Sequence, residues 1–228
     1  MSDLIKLKPR LQTCADFVRT GKKVADVGTD HAYLPVYLLQ TNRVSFAVAS
    51  DINKGPLDSA KANAARFSVL DKLSLRLSNG LAEINKEEVD DIVIAGMGGE
   101  LILRIILETP WLFSTDKALV LQPMTKANVL RKGLAENGFK ILKEQAVLED
   151  KKIYSVMSVQ FCGQKRVICV LEEYMGQILP SELYSNLYAQ KVVSSLKKKL
   201  LGFTVDDQNV EKEALEAAIT EIEEQYLK

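Results

Sequence analysis

Val24-Ala-Asp-Val-Gly-Thr-Asp-His31 is the stretch of the sequence that decides the fold. Residues 24–27 form a short apolar run that predicts a buried strand ending at Gly28. The apolar residues from 32 to 40 predict a helix, with Pro35 in its first turn, where proline is tolerated. A glycine between them lets the backbone turn tightly beneath a ligand. Strand, glycine turn and helix in succession predict the first unit of a doubly wound α/β sheet.

The same alternation continues outward from this stretch to about residue 137. Short apolar runs predict four further strands, with helical patterns between them, and the sequence therefore predicts a sheet built from five β–α units. The further strands are predicted at residues 44–50, 73–77, 91–95 and 118–121, and the further helices at 55–67, 100–108 and 126–137. Two longer alternating runs, 139–149 and 153–161, predict an antiparallel strand pair beside the sheet.

Helical patterns also stand at both ends of the chain. An amphipathic helix is predicted over residues 4–19. Past residue 173, two apolar stripes at helical spacing flank a turn-rich segment, 202–209, and predict an antiparallel, coiled-coil-like helical hairpin. The stripes consist of Ala189, Val193, Leu196 and Leu200, and of Leu215, Ile219, Ile222 and Tyr226. We therefore expect two domains, residues 1–163 and residues 164–228.

Composition restricts the class of protein. The chain has 228 residues, of which 47% are hydrophobic, and its 30 basic residues balance its 30 acidic ones. A nucleic-acid binder with strong non-specific affinity would usually be more basic. Cys14, Cys162, Cys169 and the single His31 form no metal-ligand pattern, so we expect no metal site and a reduced, cytoplasmic protein. The sequence contains neither a signal-peptide core nor a run long enough to span a membrane.

The conspicuous polar and glycine residues stand where predicted strands end. Gly28, Asp51, Asn79, Gly96 and Gln122 each follow one of the five strands. In doubly wound sheets, ligands bind beyond the carboxyl ends of the strands, at the switch in strand order. We therefore expect these five residues to lie around one site.

The glycine pattern favours a cofactor without phosphates. A dinucleotide fingerprint has three glycines along the pyrophosphate, whereas here only Gly28 is present. S-adenosylmethionine carries an ammonium group, for which Asp26 or Asp30 can supply a carboxylate. Asp51 can accept hydrogen bonds from both ribose hydroxyls, a feature that NAD enzymes share. Asp30 can alternatively be the N-cap of the helix that follows.

Residues after the later strands are candidates for contacts with bases. Asn79 can hydrogen-bond the adenine edge with Leu81 packed near the ring, although Asn-Gly is also simply a favourable turn. The cluster Gly96-Met97-Gly98-Gly99 is costly unless the backbone must bend or something must approach it closely. Tyr33 can stack on a base, and the alternative is that it lies on the core face of its helix.

Three motifs together resemble one family. Asp26-Val-Gly-Thr-Asp-His-Ala-Tyr-Leu-Pro35, Ile94-Ala-Gly-Met-Gly-Gly99 and Leu121-Gln-Pro123 resemble the bacterial tRNA (adenine-22-N1)-methyltransferases, and Arg10-Leu11-Gln12 also fits. The resemblance extends over nearly the whole chain. It implies a Rossmann-like class I methyltransferase domain with a C-terminal helical domain, and methyl transfer from S-adenosylmethionine to N1 of adenine 22 in tRNA. It also implies that Asp30 is important for catalysis. Where this chain has Asn79, the family often has an aspartate.

Each candidate residue has an expected role. Asp30 is the catalytic candidate, because a carboxylate near the exocyclic amine can orient the base, stabilise its charge and take a proton. The predicted cofactor residues are Asp26, Gly28, His31, Asp51, Ile52, Asn79, Gly80, Leu81, Gly96 and Met97. The predicted substrate residues are Arg10, Tyr33, Gln122 and Pro123. Phosphate contacts are expected from Lys6, Lys8, Arg10, Lys126, Arg131 and Lys132, each of which is otherwise a solvated charge.

Three other functions stay open at this point. The first is an NAD(P)-linked Rossmann enzyme, against which the missing glycines count. The second is a non-catalytic RNA-binding protein on a degenerate methyltransferase fold, against which the intact carboxylates count. The third is a small-molecule methyltransferase in which the hairpin covers a closed pocket, since fold alone does not separate it from an RNA enzyme. The sequence also leaves open whether the protein is a monomer or a homodimer.

Overall fold

The structure is a computed structural model that describes residues 4–203 and 210–228. Most of the predicted turn-rich segment 202–209 therefore lies outside the described residues. Within them, seven strands form one sheet: β1 (Lys22–Val27), β2 (Val44–Asp51), β3 (Leu73–Leu77), β4 (Asp91–Gly98), β5 (Ala118–Thr125), β6 (Phe139–Glu149) and β7 (Lys152–Phe161). Their order is β3-β2-β1-β4-β5-β7-β6. The first five are parallel, and β7 runs antiparallel to both of its neighbours.

The described residues also form eight α-helices. They are α1 (Pro9–Phe17), α2 (Tyr33–Gln40), α3 (Lys54–Arg66), α4 (Gly99–Leu107), α5 (Ala127–Glu136), α6 (Val170–Met175), α7 (Ser185–Leu200) and α8 (Val210–Tyr226). None of these helices is both long and apolar enough to cross a membrane.

Two apolar cores cover the faces of the central strands. Val93 of β4 belongs to the core that includes Leu38 of α2, whereas its neighbour Ile94 belongs to the core that includes Ile102 of α4. All four side chains are fully buried. Successive side chains of a strand point to opposite faces, so a parallel strand covered on both sides needs a continuous apolar run. This requirement explains why the predictions for these strands are confirmed.

Strands β4 and β5 run three and four residues beyond their predicted ends, so Gly96 and Gln122 lie within strands instead of after them. The structure also departs from the predicted elements at three other places. Residues 78–90 lead from β3 to β4 without a helix, so the third β–α unit is incomplete. The N-terminal helix begins at Pro9 instead of residue 4. The proline disfavours the helical conformation of the residue before it, and Lys8 is accordingly extended. The short helix α6 was not predicted. The two C-terminal helices are confirmed, and they pack on each other.

The helical part of the chain packs on the antiparallel strands. Leu196 of α7 and Ile222 of α8 belong to a third apolar core, which also includes Ala146 of β6 and Ile153 of β7. Burial of these side chains is the main contribution to the contact, at about 25 cal/mol for each Å² of apolar surface removed from water.

Arg131 of α5 joins the sheet to the helical part at the centre of this contact. The residue is only 1% exposed, and its Nη2 lies 2.6 Å from Glu144 Oε1 and donates to the Tyr188 hydroxyl at 2.7 Å. Its Nη1 donates to the backbone carbonyls of Glu173 and Tyr174 at 2.8 and 2.7 Å. The prediction that Arg131 contacts RNA phosphates is therefore wrong, because its guanidinium is buried and bound on every side.

We expect Arg131→Met to destabilise the folded protein by about 3–5 kcal/mol, because it leaves the Glu144 carboxylate buried without its cation. Urea unfolding monitored by circular dichroism measures the change. The matched control is Lys132→Met, which removes an exposed partner of Glu173 and should cost less than about 1 kcal/mol. Equal effects of the two substitutions would contradict the role of the buried pair.

Candidate active site

A cavity of about 380 Å³ opens where β1 and β4 end. Three segments line it: residues 8–11 of the N-terminal region, residues of the turn between positions 26 and 34, and residues 95–96 at the end of β4. The cavity therefore lies at the carboxyl edge of the parallel strands, where the direction of strand order reverses, as the sequence predicts.

Gly28 forms the turn at the bottom of this cavity. Its φ is +75°, a left-handed value that favours glycine. The N–H groups of Gly28 and Thr29 both donate to the carbonyl of Ser50 in β2, at 2.8 and 2.9 Å. A Cβ at position 28 would overlap the terminal methyl group of Met97, which lies directly against the turn. The left-handed backbone therefore favours glycine here, whereas the overlapping methyl group is the end of a flexible side chain that can move.

Asp26 is a buried carboxylate at the end of β1, only 8% exposed and on the cavity lining. Burial raises the pKa of its carboxyl from 3.8 to about 6, and the negative charge of Asp51 adds to the shift while Thr29 opposes it. Among the described residues, no lysine, arginine or histidine forms an ion pair with Asp26. A buried carboxylate that faces a cavity without a protein cation suits a cationic ligand.

The next two strands end beside β1. Asp51 closes β2, and its Oδ1 accepts a hydrogen bond from the Asn53 N–H at 2.7 Å. Its carbonyl accepts from the Ser78 N–H at 2.9 Å, which holds the end of β3 against β2. Ile52 is 64% exposed at the same edge. Asp51 lies on the β2 side of the turn that forms the cavity, but neither Asp51 nor Ile52 lines it, so their contacts with the cofactor stay predictions.

Asn79, Gly80 and Leu81 do not line the cavity that contains Asp26. They line a separate cavity of about 560 Å³, which Arg104 and Trp111 also line. The side chain of Leu81 is 3% exposed and belongs to the apolar core. The prediction that Leu81 packs near a ligand ring is therefore not supported by its position.

Asp30, His31 and Tyr33 form the rim of the cavity. The Asp30 side chain is 81% exposed, and one of its oxygens lies 3.4 Å from His31 Nε2. The rings of His31 and Tyr33 are 5.2 Å apart, and Tyr33 is 43% exposed. The alternative that Tyr33 faces the core is therefore wrong. Helix α2 begins at Tyr33 without a side-chain cap, so the alternative that Asp30 caps the helix is also wrong.

Arg10 and Gln122 meet beside the cavity. Arg10 Nη1 donates to Gln122 Oε1 at 2.5 Å, and the backbone N–H of Gly96 donates to the same oxygen at 3.1 Å. Gln122 is fully buried and Pro123 is buried as well. Neither residue lines the cavity, so the prediction that both contact the substrate is not supported by their position. Arg10 itself lines the cavity.

Glu149 is a site residue that the sequence did not reveal. It lies at the end of β6 and accepts hydrogen bonds from the backbone N–H and the Nε of Arg10, at 2.9 and 3.0 Å. The two residues are 139 positions apart in the sequence, and nothing in the local pattern links them. Only the packing of α1 on β6 brings them together.

The remaining predicted phosphate contacts lie at the surface. Lys6, Lys8, Lys126 and Lys132 are exposed. Lys8 pairs with Asp150 at 2.9 Å, and Lys132 pairs with Glu173 at 3.1 Å. Within residues 4–203 and 210–228, no group of three or more His, Cys, Asp or Glu side chains is placed to hold a metal ion.

The strand order, with its antiparallel β7, and the buried carboxylate beside a glycine turn define a Rossmann-like domain of the class I methyltransferase type. A family model described as a methyltransferase domain matches residues 7–157. The chain belongs to this methyltransferase family, and within it to the group of the tRNA (adenine-22-N1)-methyltransferases.

Relatives cover different shares of the chain. The tRNA (adenine(22)-N(1))-methyltransferase of Bacillus subtilis is 38% identical over 153 residues, which are 67% of this chain and 64% of that protein. A putative tRNA methyltransferase of Mycoplasma genitalium is 31% identical over 226 residues, 86% of this chain and 99% of that protein. The crystal structure of a putative tRNA (m1A22) methyltransferase of Streptococcus pneumoniae in complex with S-adenosyl-L-methionine is similar with a TM-score of 0.79. It is 32% identical, and the match covers 94% of this chain and 97% of that one.

We expect Asp26→Asn to remove a pH-dependent loss of stability. The pKa of Asp26 is raised from 3.8 to about 6 on folding, so the unfolded chain releases this proton at lower pH than the folded protein does. Stability contributed by the protonated form is fully present below the unfolded pKa and is lost as the pH rises through about 6.

The variant should therefore gain stability relative to the wild type between pH 4 and pH 7.5, by an amount on the order of 1–3 kcal/mol. Urea unfolding of both proteins at the two pH values measures this change, and any uniform effect of the substitution cancels. A difference that stays constant with pH would show that Asp26 has an ordinary pKa.

Proposed function

We propose that this protein transfers a methyl group from S-adenosylmethionine to N1 of adenine 22 in tRNA. The observation that carries the proposal is the buried, unpaired carboxylate of Asp26 in the same cavity as a second, exposed carboxylate, Asp30. The first suits a cationic cofactor and the second suits a base that gains and loses a proton. The names of the relatives support the choice of tRNA as substrate.

The residues present fit the proposed cofactor. S-adenosylmethionine supplies an activated methyl group on a positively charged sulfur. Asp26 is proposed to bind its ammonium group, since the ion pair would compensate the burial of the carboxylate. Gly28 lets the backbone approach, while Gly96 and Met97 lie on the β4 side. Asp51 is proposed to accept hydrogen bonds from the ribose hydroxyls.

The adenine of the cofactor is proposed to lie against exposed Ile52, with Asn79 and Gly80 at its edge. The amide of Asn79 can both donate and accept, so it can replace the aspartate that the family often has there. Leu81 is proposed to support this loop from the core instead of touching the ring. His31, at the rim, would close the methionine side of the site.

The target adenine is proposed to enter over Asp30. Its N1 is blocked in a paired and stacked base, so the base must leave the stack, and Tyr33 offers an exposed ring on which it can rest. The N1 lone pair forms the new bond to the methyl carbon while the carbon–sulfur bond breaks. The two electrons of the broken bond remain on sulfur. The base then carries a positive charge until a proton leaves the exocyclic amine, and Asp30 is proposed to orient that amine and accept the proton.

We propose the following organisation around this site. Residues 1–163 form the catalytic domain and residues 164–228 form the helical domain. Lys6, Lys8 and Lys126 are proposed to bind tRNA phosphates, and Arg10 is proposed to act at the cavity. The substrate implies that the protein works in the cytoplasm.

The first experiment is methyl transfer from labelled S-adenosylmethionine to an unmodified tRNA transcript, followed by nucleoside analysis. We expect N1-methyladenosine, and we expect it to disappear when adenine 22 is replaced by another base. Cofactor binding without any label in tRNA would overturn the substrate and favour a small-molecule methyltransferase. Binding of tRNA with neither cofactor binding nor transfer would favour the non-catalytic RNA-binding alternative.

We expect Asp30→Asn to lower kcat by about 10²- to 10⁴-fold, the usual contribution of a general acid–base group. Affinity for S-adenosylhomocysteine, measured by calorimetry, should change by less than about three-fold, because Asp30 is exposed at the rim and Asp26 is unaltered. The control is Asp71→Asn, which neutralises an exposed carboxylate before β3, away from the cavity. Unchanged turnover with retained cofactor binding would remove Asp30 from the mechanism.

A further inference from the structure

Gln122 is a fully buried polar side chain at the back of the cavity wall. Its Oε1 accepts from Arg10 Nη1 at 2.5 Å and from the Gly96 N–H at 3.1 Å. Its Nε2 donates to the carbonyl of Pro123 at 3.0 Å. A neutral amide meets both needs, since it offers an acceptor on one side and a donor on the other. A buried polar group with all its partners in place holds those partners rigidly.

The first partner, Gly96, lies on the cavity where β4 is irregular. Ala95 pairs with Gln122 and Met97 pairs with Pro123, and the register shifts between them. Gly96 stands at that irregularity with a φ of +83°. Because such a bulge interrupts the regular ladder, the orientation of this peptide depends on a side chain. The acceptor for its N–H is the oxygen of Gln122.

The second partner, Arg10, comes from the N-terminal helix and reaches the same cavity. Glu149 binds its Nε and its backbone N–H, and the ring of Tyr154 lies 5.4 Å from its guanidinium carbon. Gln122 adds the contact that turns the Nη1 end of the guanidinium toward β4. The three contacts together leave the guanidinium a single orientation beside the cavity.

We propose that Gln122 is a positioning residue for methyl transfer, which holds the Gly96 backbone and the Arg10 guanidinium at a set separation on the cavity wall. It touches neither cofactor nor base. It acts by aligning the Gly96 backbone and the Arg10 guanidinium, which line the cavity. Displacements of about 1 Å at a reacting centre can change rates by about 100-fold. This inference rests on the proposed function, which supplies the methyl-transfer reaction. The positioning itself is argued only from the hydrogen bonds of Gln122.

The test is Gln122→Met, which keeps the length of the side chain and removes both the acceptor and the donor. We expect kcat for tRNA methylation to fall by about 10- to 100-fold, while Kd for S-adenosylhomocysteine changes by less than about three-fold, since Asp26 and Asp51 belong to other strands. The amide proton of Gly96, followed by NMR in the ligand-free protein, should exchange faster. A purely structural role would alter Kd and kcat together.

The matched control is Gln160→Met. Gln160 of β7 also donates a side-chain hydrogen bond, to the carbonyl of Thr115, but it does not line the cavity. This variant should leave kcat and the exchange of Gly96 unchanged. If Gln122→Met fails to fold, Gln122→Asn replaces it: the shorter side chain keeps the amide but cannot reach both the Gly96 N–H and Arg10 Nη1. It should give the same separation of kcat from Kd.

The outcomes separate this inference from the proposed function. Unchanged kcat and unchanged exchange of Gly96 in Gln122→Met would overturn the inference, and so would equal losses of kcat and affinity. If the wild type methylates no tRNA, the proposed function fails, and the exchange of Gly96 then decides the inference by itself. Faster exchange in the variant supports positioning by Gln122, and unchanged exchange overturns it.

Discussion

The pairing of β1 with β2 on one side and with β4 on the other is the constraint on which the site depends. All three strands are parallel, and Val27 at the end of β1 is in register with Ser50 and Ile94. Their carboxyl ends therefore meet at one edge, where the Ser50 carbonyl holds the turn at Gly28. This arrangement buries Asp26, which raises the pKa of its carboxyl, and it brings Asp51 close enough for its negative charge to add to that shift.

A second set of contacts completes the site from outside the parallel sheet. Arg10 reaches the cavity only because α1 packs on the antiparallel strands, where Glu149 binds it. Arg131 of α5 makes a comparable charged contact, which joins the helical part to β6 through Glu144. Both are charged pairs with little exposure, and such pairs specify one arrangement of elements at a considerable desolvation cost. The orientation of the helical part relative to the cavity follows from them.

Much of this architecture could be predicted because it depends on periodicity. A parallel strand buried on both faces requires a continuous apolar run, and an amphipathic helix requires an apolar stripe at helical spacing. Strands β1–β5 and the last two helices can therefore be predicted from the sequence pattern alone. Residues 78–90 are not, since a segment held by individual turn bonds, such as those of Ser78 with Gly80 and Glu83, has no period. The start of the first helix at Pro9, later than the pattern predicts, is a local effect of the proline.

The sequence by itself determined the ends of β1, β2 and β3, and with them Asp26, Gly28, Asp30 and Asp51 as one group, because parallel topology brings these positions to one edge whatever the packing. Only the tertiary structure decided which polar side chains face the cavity and which stand behind it. Gln122 and Arg131 are as polar as any residue that contacts a ligand, yet burial and their partners turn them inward. Tyr33 is apolar enough for a core, yet it lies at the rim. Exposure depends on neighbours from distant parts of the chain, and no local pattern encodes those neighbours.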